Sequence, residues 1–151
     1  MPIFTQVNLH KAEQASVLLG RELEGKNNRI ALLTEPRSFQ NQVTCLPRGS
    51  RITYHRSLCT ADPAPRAAIL TTRDISATAL DNLCTRDCAA ALIRLHGRQV
   101  LVASVYLDIK RAVTPAWLTK IIDTATAKHW PLILGIDSNA HSTLYLSLIH
   151  I

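Results

Sequence analysis

Hydrophobic positions in this chain form two kinds of pattern: short continuous apolar runs and longer stretches with helical spacing. The runs lie at 29–33, 66–72, 88–95, 99–107 and 132–136. Short runs of this kind are typical of strands buried inside a sheet. Helical spacing appears at 12–23 and again at 117–125. This alternation of strands and helices predicts an α/β fold with a mixed sheet.

Two local signals sharpen that prediction. The runs at 88–95 and 99–107 are separated by His96-Gly97-Arg98, and a glycine there predicts a tight turn and a β-hairpin. Thr114-Pro115 precedes the second helical stretch, which places Thr114 as N-cap and Pro115 in the first turn. The first helix is expected to open at His10-Lys11.

One apolar run ends in a cluster of polar side chains. The segment at 131–141 reads PLILGIDSNAH, so that Asp137, Ser138, Asn139 and His141 follow a strand. Such side chains can bind an ion or a phosphate, and a carboxylate at the tip of a buried strand is costly to desolvate without a partner. Asp, Ser and Asn are also ordinary turn residues. Spacing alone leaves a binding site and a simple turn equally supported.

Three other strands end in similar groups. The short strand at 5–9 carries Asn8, a residue type that is disfavoured within strands. The run RIALL leads into Glu35, which Pro36 holds in an extended conformation. Tyr106 lies near the end of the run at 99–107, where an amphipathic aromatic is also common. The repeated pattern favours a shared site at one edge of the sheet.

Composition adds a charge to this picture. The 151 residues are 47% hydrophobic with a net charge of +6, which suits one globular domain with a basic surface. Such a surface favours polyanions, of which nucleic acid is the commonest, although the same charge can simply provide solubility. The loop-rich segment at 38–65 and the residue before it supply the candidate nucleic-acid-binding residues, which could face phosphate: Arg37, Arg48, Arg51 and Arg56. The alternative is a solvated connector, and for any single arginine that alternative is the better one.

Cysteines and apolar segments bear on location. The cysteines at 45, 59, 84 and 88 include no CxxC pair, so we expect four reduced thiols rather than a zinc or redox site. No signal peptide and no apolar run of membrane-spanning length is apparent. These features predict an intracellular protein with no membrane partner.

Four short motifs, in order, resemble the endonuclease/exonuclease/phosphatase superfamily, which includes pancreatic DNase and the apurinic endonucleases. They are QVNLH at 6–10, LLTEP at 32–36, SVYL at 104–107 and GIDSNAH at 135–141. The combination is most similar to the endonuclease domain of non-LTR retrotransposons. Each motif is weak alone, and their order and spacing make the signal specific. The resemblance implies a two-sheet α/β sandwich.

The resemblance also implies a role for each residue. Glu35 is expected to be the main ligand of a catalytic Mg²⁺ (or Mn²⁺), assisted by Asn8. Asp137 would orient or activate the attacking water, while Asn139 and Tyr106 would contact the scissile phosphate. His141 would have a supporting role. Phosphodiester cleavage needs such a hard cation, a base for water and donors to the phosphate oxygens.

The sequence departs from the family at its end. The family has a later Ser-Asp-His motif, which nothing here matches, and residues 146–151, LSLIHI, are similar to a translated sequencing-adaptor tail. We therefore expect residues 1–145 to be an incomplete endonuclease domain, 146–151 to be foreign to it, and the chain alone to be inactive.

Three functions remain open at this point. The first is nicking of double-stranded DNA in the nucleus for retrotransposon insertion, with a reverse transcriptase domain downstream. The second is a cellular phosphatase or repair nuclease of the same superfamily. The third is a non-catalytic DNA-binding module.

Overall fold

The computed structural model of the chain describes residues 1–55, 64–107 and 115–138, and these form two packed sheets with a helix outside each. The first sheet has the strand order β1-β2-β6-β5 and the second β10-β9-β8-β7; β3 and β4 form a separate hairpin. The elements are β1 (Ile3–Asn8), α1 (Glu13–Leu23), β2 (Arg29–Thr34), β3 (Ser38–Phe39), β4 (Gln42–Val43), β5 (Arg51–Thr53), β6 (Ala67–Thr71), β7 (Ala77–Ala79), β8 (Cys88–Leu95), β9 (Arg98–Tyr106), α2 (Ala116–Lys128) and β10 (Leu132–Asp137).

Three apolar layers hold this α/β sandwich together. The layer between the sheets includes Ile30 and Ile69 from the first sheet and Ile93 and Val102 from the second. The outer face of the first sheet packs against α1, and the outer face of the second packs against Ile121 and its neighbours on α2. Alternate residues of each central strand therefore face different layers, which explains why these strands read as continuous apolar runs.

The strand register places the carboxyl ends of β1, β2, β9 and β10, which carry the candidate polar residues, at the same end of the molecule. β1 and β2 are parallel, with Asn8 opposite Thr34, and β9 and β10 are parallel, with Tyr106 opposite Asp137. The carboxyl ends of these four strands form what we call the polar end of the sandwich.

The two sheets approach closely near the polar end. Gly135 and Ser104 are paired across β10 and β9. The Ser104 hydroxyl donates to the Leu33 carbonyl oxygen at 2.8 Å. A Cβ on Gly135 would lie 2.5 Å from Cδ1 and 3.1 Å from Cβ of Leu32, so the glycine lets Leu32 pack directly against β10.

Several local expectations need correction. His10 and Lys11 have positive φ and form a turn, so α1 begins only at Glu13. Pro115 is the N-cap of α2 rather than a residue of its first turn, and Thr114 lies outside the described residues. Glu35 is not extended, because its φ is +47°. The described part of the segment at 38–65 contains three short strands that the sequence pattern did not predict.

Strand β10 was expected to be buried with cover on both faces, and it has cover on both, from α2 on one side and from the first sheet on the other, but it is not fully buried. Leu132, Leu134 and Ile136 are partly buried and pack on the α2 side, while Gly135 is the only fully buried residue of the strand. The reason is that β10 lies at an edge of the second sheet as described.

Cysteines and helices add two observations. Cys84 and Cys88 are buried thiols and Cys45 is an exposed one, while Cys59 lies outside the described residues. Burial raises the pKa of both the Cys84 and the Cys88 thiols. Neither described helix is long and apolar enough to cross a membrane.

Candidate active site

The polar end joins the two sheets through the carboxylate of Asp137. Its Oδ2 accepts a hydrogen bond from Asn8 Nδ2 at 2.7 Å and another from the Thr34 hydroxyl at 2.8 Å. Asn8 and Thr34 end adjacent strands of the first sheet, while Asp137 ends β10 of the second. Two donors from one sheet thus orient a carboxylate from the other, although the residues lie more than a hundred positions apart in the sequence.

Glu35 follows Thr34 directly and is held by its backbone. Its N–H donates to the Arg66 carbonyl oxygen at 2.9 Å, and its own carbonyl oxygen accepts from Lys11 N–H at 2.8 Å. The φ of +47° is in the left-handed region, which is unfavourable for a residue with a Cβ. Such conformations persist where surrounding contacts impose them, and they concentrate at functional sites. The Glu35 side chain is 24% exposed, so its carboxylate remains accessible.

Asn8 and His10 form the other wall of this site. The Asn8 amide oxygen accepts a hydrogen bond from His10 N–H at 2.7 Å, an Asx-turn that accounts for the asparagine at the strand end. His10 Nδ1 lies 3.6 Å from Glu35 Oε2, on a side chain that is 78% exposed. The Asx-turn therefore fixes the Asn8 amide group, which donates to Asp137 on its other side.

Tyr106 belongs to a second cluster at the polar end. The other members of this cluster, Arg66 and Asp87, were not predicted from the sequence. The Arg66 guanidinium lies over the Tyr106 ring, with Cζ 4.7 Å from the ring centroid. The same guanidinium forms a two-pronged ion pair with Asp87, at 2.5 Å from Nε to Oδ1 and 2.7 Å from Nη2 to Oδ2. The Arg66 and Asp87 side chains are only 15% and 14% exposed.

This Arg66–Asp87 pair also connects the backbone of both sheets. Arg66 directly precedes β6 and its carbonyl oxygen receives the Glu35 N–H, while the Asp87 carbonyl oxygen receives the Tyr106 N–H at 2.8 Å. One ion pair therefore supports both Glu35 and Tyr106. The only available signal was that each residue stands just before an apolar run, which does not reveal pairing across 21 positions.

The candidate DNA-binding arginines do not lie together. Arg37 is near Glu35 in sequence and forms an ion pair with Glu13 at 3.2 Å. Arg51 begins β5 opposite Thr71, at the far end of the first sheet from Glu35, and Arg48 lines a cleft at that same far end. Arg56 lies outside the described residues, as do Asn139 and His141.

Comparisons with known proteins identify solved structures that share this fold. No family model matches the chain. The solved endonuclease domain of TRAS1, a telomere-specific non-LTR retrotransposon, superposes with a TM-score of 0.66 and 23% identity, over 93% of this chain and 60% of that domain. The chain has the fold of a retrotransposon endonuclease domain. The expected two-sheet architecture is confirmed.

Two further proteins share this endonuclease fold or its sequence. The human Nocturnin catalytic domain, solved with a bound sulfate anion, superposes with a TM-score of 0.50 and 18% identity, over 87% of this chain and 58% of that one. The putative 115 kDa protein of the type-1 retrotransposable element R1DM of Drosophila melanogaster is 24% identical over 145 residues. Those residues are 95% of this chain and 14% of that protein.

The oxygen donors at the polar end of this endonuclease fold suit a hard cation. Glu35 offers an accessible carboxylate, Asn8 an amide oxygen, and Asp137 a second carboxylate hydrogen-bonded to Asn8. Among residues 1–55, 64–107 and 115–138, no group of three or more His, Cys, Asp or Glu could hold a metal. Mg²⁺ needs no such cage, because it typically binds one or two carboxylates and keeps its remaining ligands as water or phosphate oxygen. In their chemical type, these oxygen donors therefore suit Mg²⁺.

Proposed function

We propose that this chain is part of a metal-dependent endonuclease that hydrolyses phosphodiester bonds of double-stranded DNA. The observation that carries the proposal is the contact of Asp137 from the second sheet with Asn8 and Thr34 from the first, beside Glu35. A buried structural contact would not require an accessible glutamate held at positive φ next to it.

In this proposal Glu35 and Asn8 hold Mg²⁺, or Mn²⁺, through their side-chain oxygens. When bound, the cation would neutralise the negative charge that develops on the phosphate. Two hydrogen bonds orient the Asp137 carboxylate, which suits it to accept a proton from the attacking water. Tyr106 and Asn139 are assigned to the phosphate oxygens by the family resemblance, and His141 is assigned a supporting role.

The Arg66–Asp87 pair has a positioning role here. Because the guanidinium is neutralised by Asp87 and covers the Tyr106 ring, it fixes the direction of the phenol while adding little net charge. Its backbone simultaneously holds Glu35. A group prearranged in this way loses little freedom when the substrate arrives.

Target-DNA nicking for insertion of a retrotransposon is the specific role that the comparisons favour. The TRAS1 endonuclease domain gives a higher TM-score than the Nocturnin catalytic domain, 0.66 against 0.50. The R1DM relative is a much larger protein, of which this chain matches 14%, so a reverse transcriptase partner within a longer protein is part of the proposal. The proposal includes action on genomic DNA in the nucleus.

A plasmid-nicking assay tests the function. The 151-residue chain and a version extended to the full length of the endonuclease fold would each be incubated with supercoiled plasmid, with Mg²⁺ or with EDTA. We expect Mg²⁺-dependent open circles from the extended protein and little or none from the chain alone. Hydrolysis of small phosphate monoesters without nicking would instead favour the phosphatase alternative, and DNA binding without any cleavage would favour the binding module.

A further inference from the structure

A second charged cleft lies at the opposite end of the first sheet from the candidate active site. Its volume is about 600 Å³, and it is formed by the last turns of α1, the turn at 25–27, the loop at 47–50 and the residues that follow β6. This is the size range of pockets that hold one small ligand. We call it the basic cleft.

The basic cleft is separated from the active site by the length of strand β2. The cleft residues 25–27 precede Arg29, whereas Thr34 at the other end of β2 contacts Asp137. Five residue steps at about 3.3 Å each separate the two ends by about 17 Å. The two ends face away from each other along the strand, so DNA lying across the polar end does not fill the basic cleft.

Four cationic side chains are among the described residues that line the cleft. Arg21, Arg48 and Arg73 are exposed, and none has an ion-pair partner among the described residues. Lys26 also lines the cleft but is paired with Glu22 at 3.3 Å, and Glu24 is the one carboxylate among the described lining residues. Three unpaired guanidinium groups around one cleft repel each other, and nothing in the packing of the fold requires them there.

We propose that the basic cleft binds the phosphate backbone of a single-stranded nucleic acid. Guanidinium groups recognise phosphate through two parallel hydrogen bonds. Gly25 and Gly49, both at positive φ with open space beside the Cα, leave room for a backbone to approach. The cleft is too small to admit a double helix, so a single strand is the form of nucleic acid that can enter it.

The chemistry also predicts the character of this binding. No aromatic side chain is present among the described residues that line the cleft, so bases have no stacking platform. Binding should therefore be independent of sequence and strongly dependent on salt. This inference does not depend on the proposed nuclease activity, because it concerns a different surface.

The test is binding of fluorescein-labelled 12-mers of U, A and dT to the 151-residue chain, followed by anisotropy over a range of NaCl concentrations. The double substitution Arg21→Ala/Arg73→Ala should weaken binding by at least about tenfold and reduce the slope of log K against log salt by about 1.4, which is two contacts at 0.7 each. Arg21→Lys/Arg73→Lys, which keeps the charge, should retain most of the slope.

A matched control removes the same charge elsewhere. Lys120→Ala/Lys128→Ala alters the exposed side of α2, on the second sheet, and should leave 12-mer affinity nearly unchanged. A short unlabelled duplex in excess should not displace the 12-mer. Equal losses in both double variants, or displacement by the duplex, would overturn the proposal. Asp137→Asn should keep 12-mer binding whether or not the chain nicks DNA, so failure of the nuclease proposal leaves this test intact.

Discussion

At the scale of residues, Glu35 and Asp137 are both carboxylates at strand ends, but their surroundings differ. Glu35 is partly exposed and lies 3.6 Å from the largely exposed side chain of His10, whereas two hydrogen-bond donors hold the Asp137 carboxylate. An accessible carboxylate suits a cation, and a carboxylate held by donors suits directional proton transfer. These surroundings, rather than the residue type, separate the two proposed roles.

We therefore expect Glu35→Gln and Asp137→Asn to fail in different ways. Glu35→Gln should lose Mn²⁺ binding measured by calorimetry, because it removes the accessible charge. Asp137→Asn should retain Mn²⁺ binding, since its amide oxygen can still accept from Asn8 and Thr34. In the extended protein each variant should lower the nicking rate by at least about a hundredfold. Glu22→Gln is the control, and wild-type nicking in either variant would remove the assigned role.

A second prediction at this scale concerns the contribution of the Arg66–Asp87 ion pair to the free energy of unfolding. Arg66→Met leaves a carboxylate that is 14% exposed without its partner, a change that typically costs about 3–5 kcal/mol in the free energy of unfolding. Urea denaturation measures this loss. Lys26→Ala, which breaks the exposed pair with Glu22, should cost less than about 1 kcal/mol.

A double variant separates stability from positioning. Arg66→Met/Asp87→Leu should recover most of the lost stability, because apolar replacement of both partners of a buried pair is often neutral. In the extended protein its nicking should stay low, since the Tyr106 ring has lost the guanidinium above it. Full recovery of both properties would show that the pair has no positioning role.

At the scale of elements, long apolar strands were predictable and short ones were not. β2, β6, β8 and β9 lie within about a residue or two of their apolar runs, because buried central strands leave a strong pattern. The short strands β3, β4, β5 and β7 have two or three residues each, too few for any periodicity. Their pairing partners, rather than their own composition, determine them.

The candidate site divides in the same way. Asn8, Glu35, Tyr106 and Asp137 could be named from the sequence because each interrupts or ends an apolar run and matches a family motif. The sequence could not show that Asn8 donates to Asp137, or that Arg66 pairs with Asp87. Those contacts depend on how two sheets are stacked, and stacking leaves no local pattern.

Gly135 tests how strictly that stacking is determined. An added Cβ would lie 2.5 Å from Leu32 Cδ1 and 3.1 Å from Leu32 Cβ. Gly135→Ala should therefore force the sheets apart and destabilise the fold by about 1–3 kcal/mol in urea denaturation. Gly20→Ala is the opposite control: it lies within α1, where the nearest atom to the new Cβ is 3.9 Å away, and should stabilise by about 0.5–1 kcal/mol.

The close packing at Gly135 also affects the geometry of the candidate active site. Separation of the sheets at β10 lengthens the Asn8–Asp137 contact, so Gly135→Ala should also lower nicking in the extended protein. Gly135→Ala combined with Leu32→Ala restores space and should recover part of that activity. An unchanged unfolding free energy in the single variant would mean that the sheets can shift without cost, which would contradict the close approach described here.

At the scale of the whole molecule, the described arginines at the two ends of the sandwich differ in their pairing. At the polar end Arg66 is paired with Asp87 and Arg37 with Glu13, whereas the basic cleft carries three arginines without described partners. The basic cleft is therefore a cationic surface that is separate from the proposed catalytic centre. The polar end and the basic cleft are thus two separate candidate binding surfaces for a polyanion attracted by the overall charge.

The core of the second sheet gives the molecule a predictable response to alkaline pH. Burial, followed by the charges of Cys84 and Asp87, raises the pKa of the Cys88 thiol above its ordinary value of 9.0. The unfolded chain therefore loses this proton at a lower pH than the folded protein does. Stability contributed by the neutral thiol is fully present below pH 9.0 and declines as the pH rises above it.

Urea denaturation between about pH 8 and pH 10.5 measures this effect. Above pH 9.0, Cys88 should lower the free energy of unfolding by up to about 1.4 kcal/mol per pH unit. Cys88→Ala removes the thiol and should flatten the decline by that amount, whatever its effect on absolute stability at neutral pH. Cys45→Ala, at an exposed position, is the control. Equal pH slopes for the wild-type protein and Cys88→Ala would show that Cys88 ionises equally in both states, and that this part of the core is open to water.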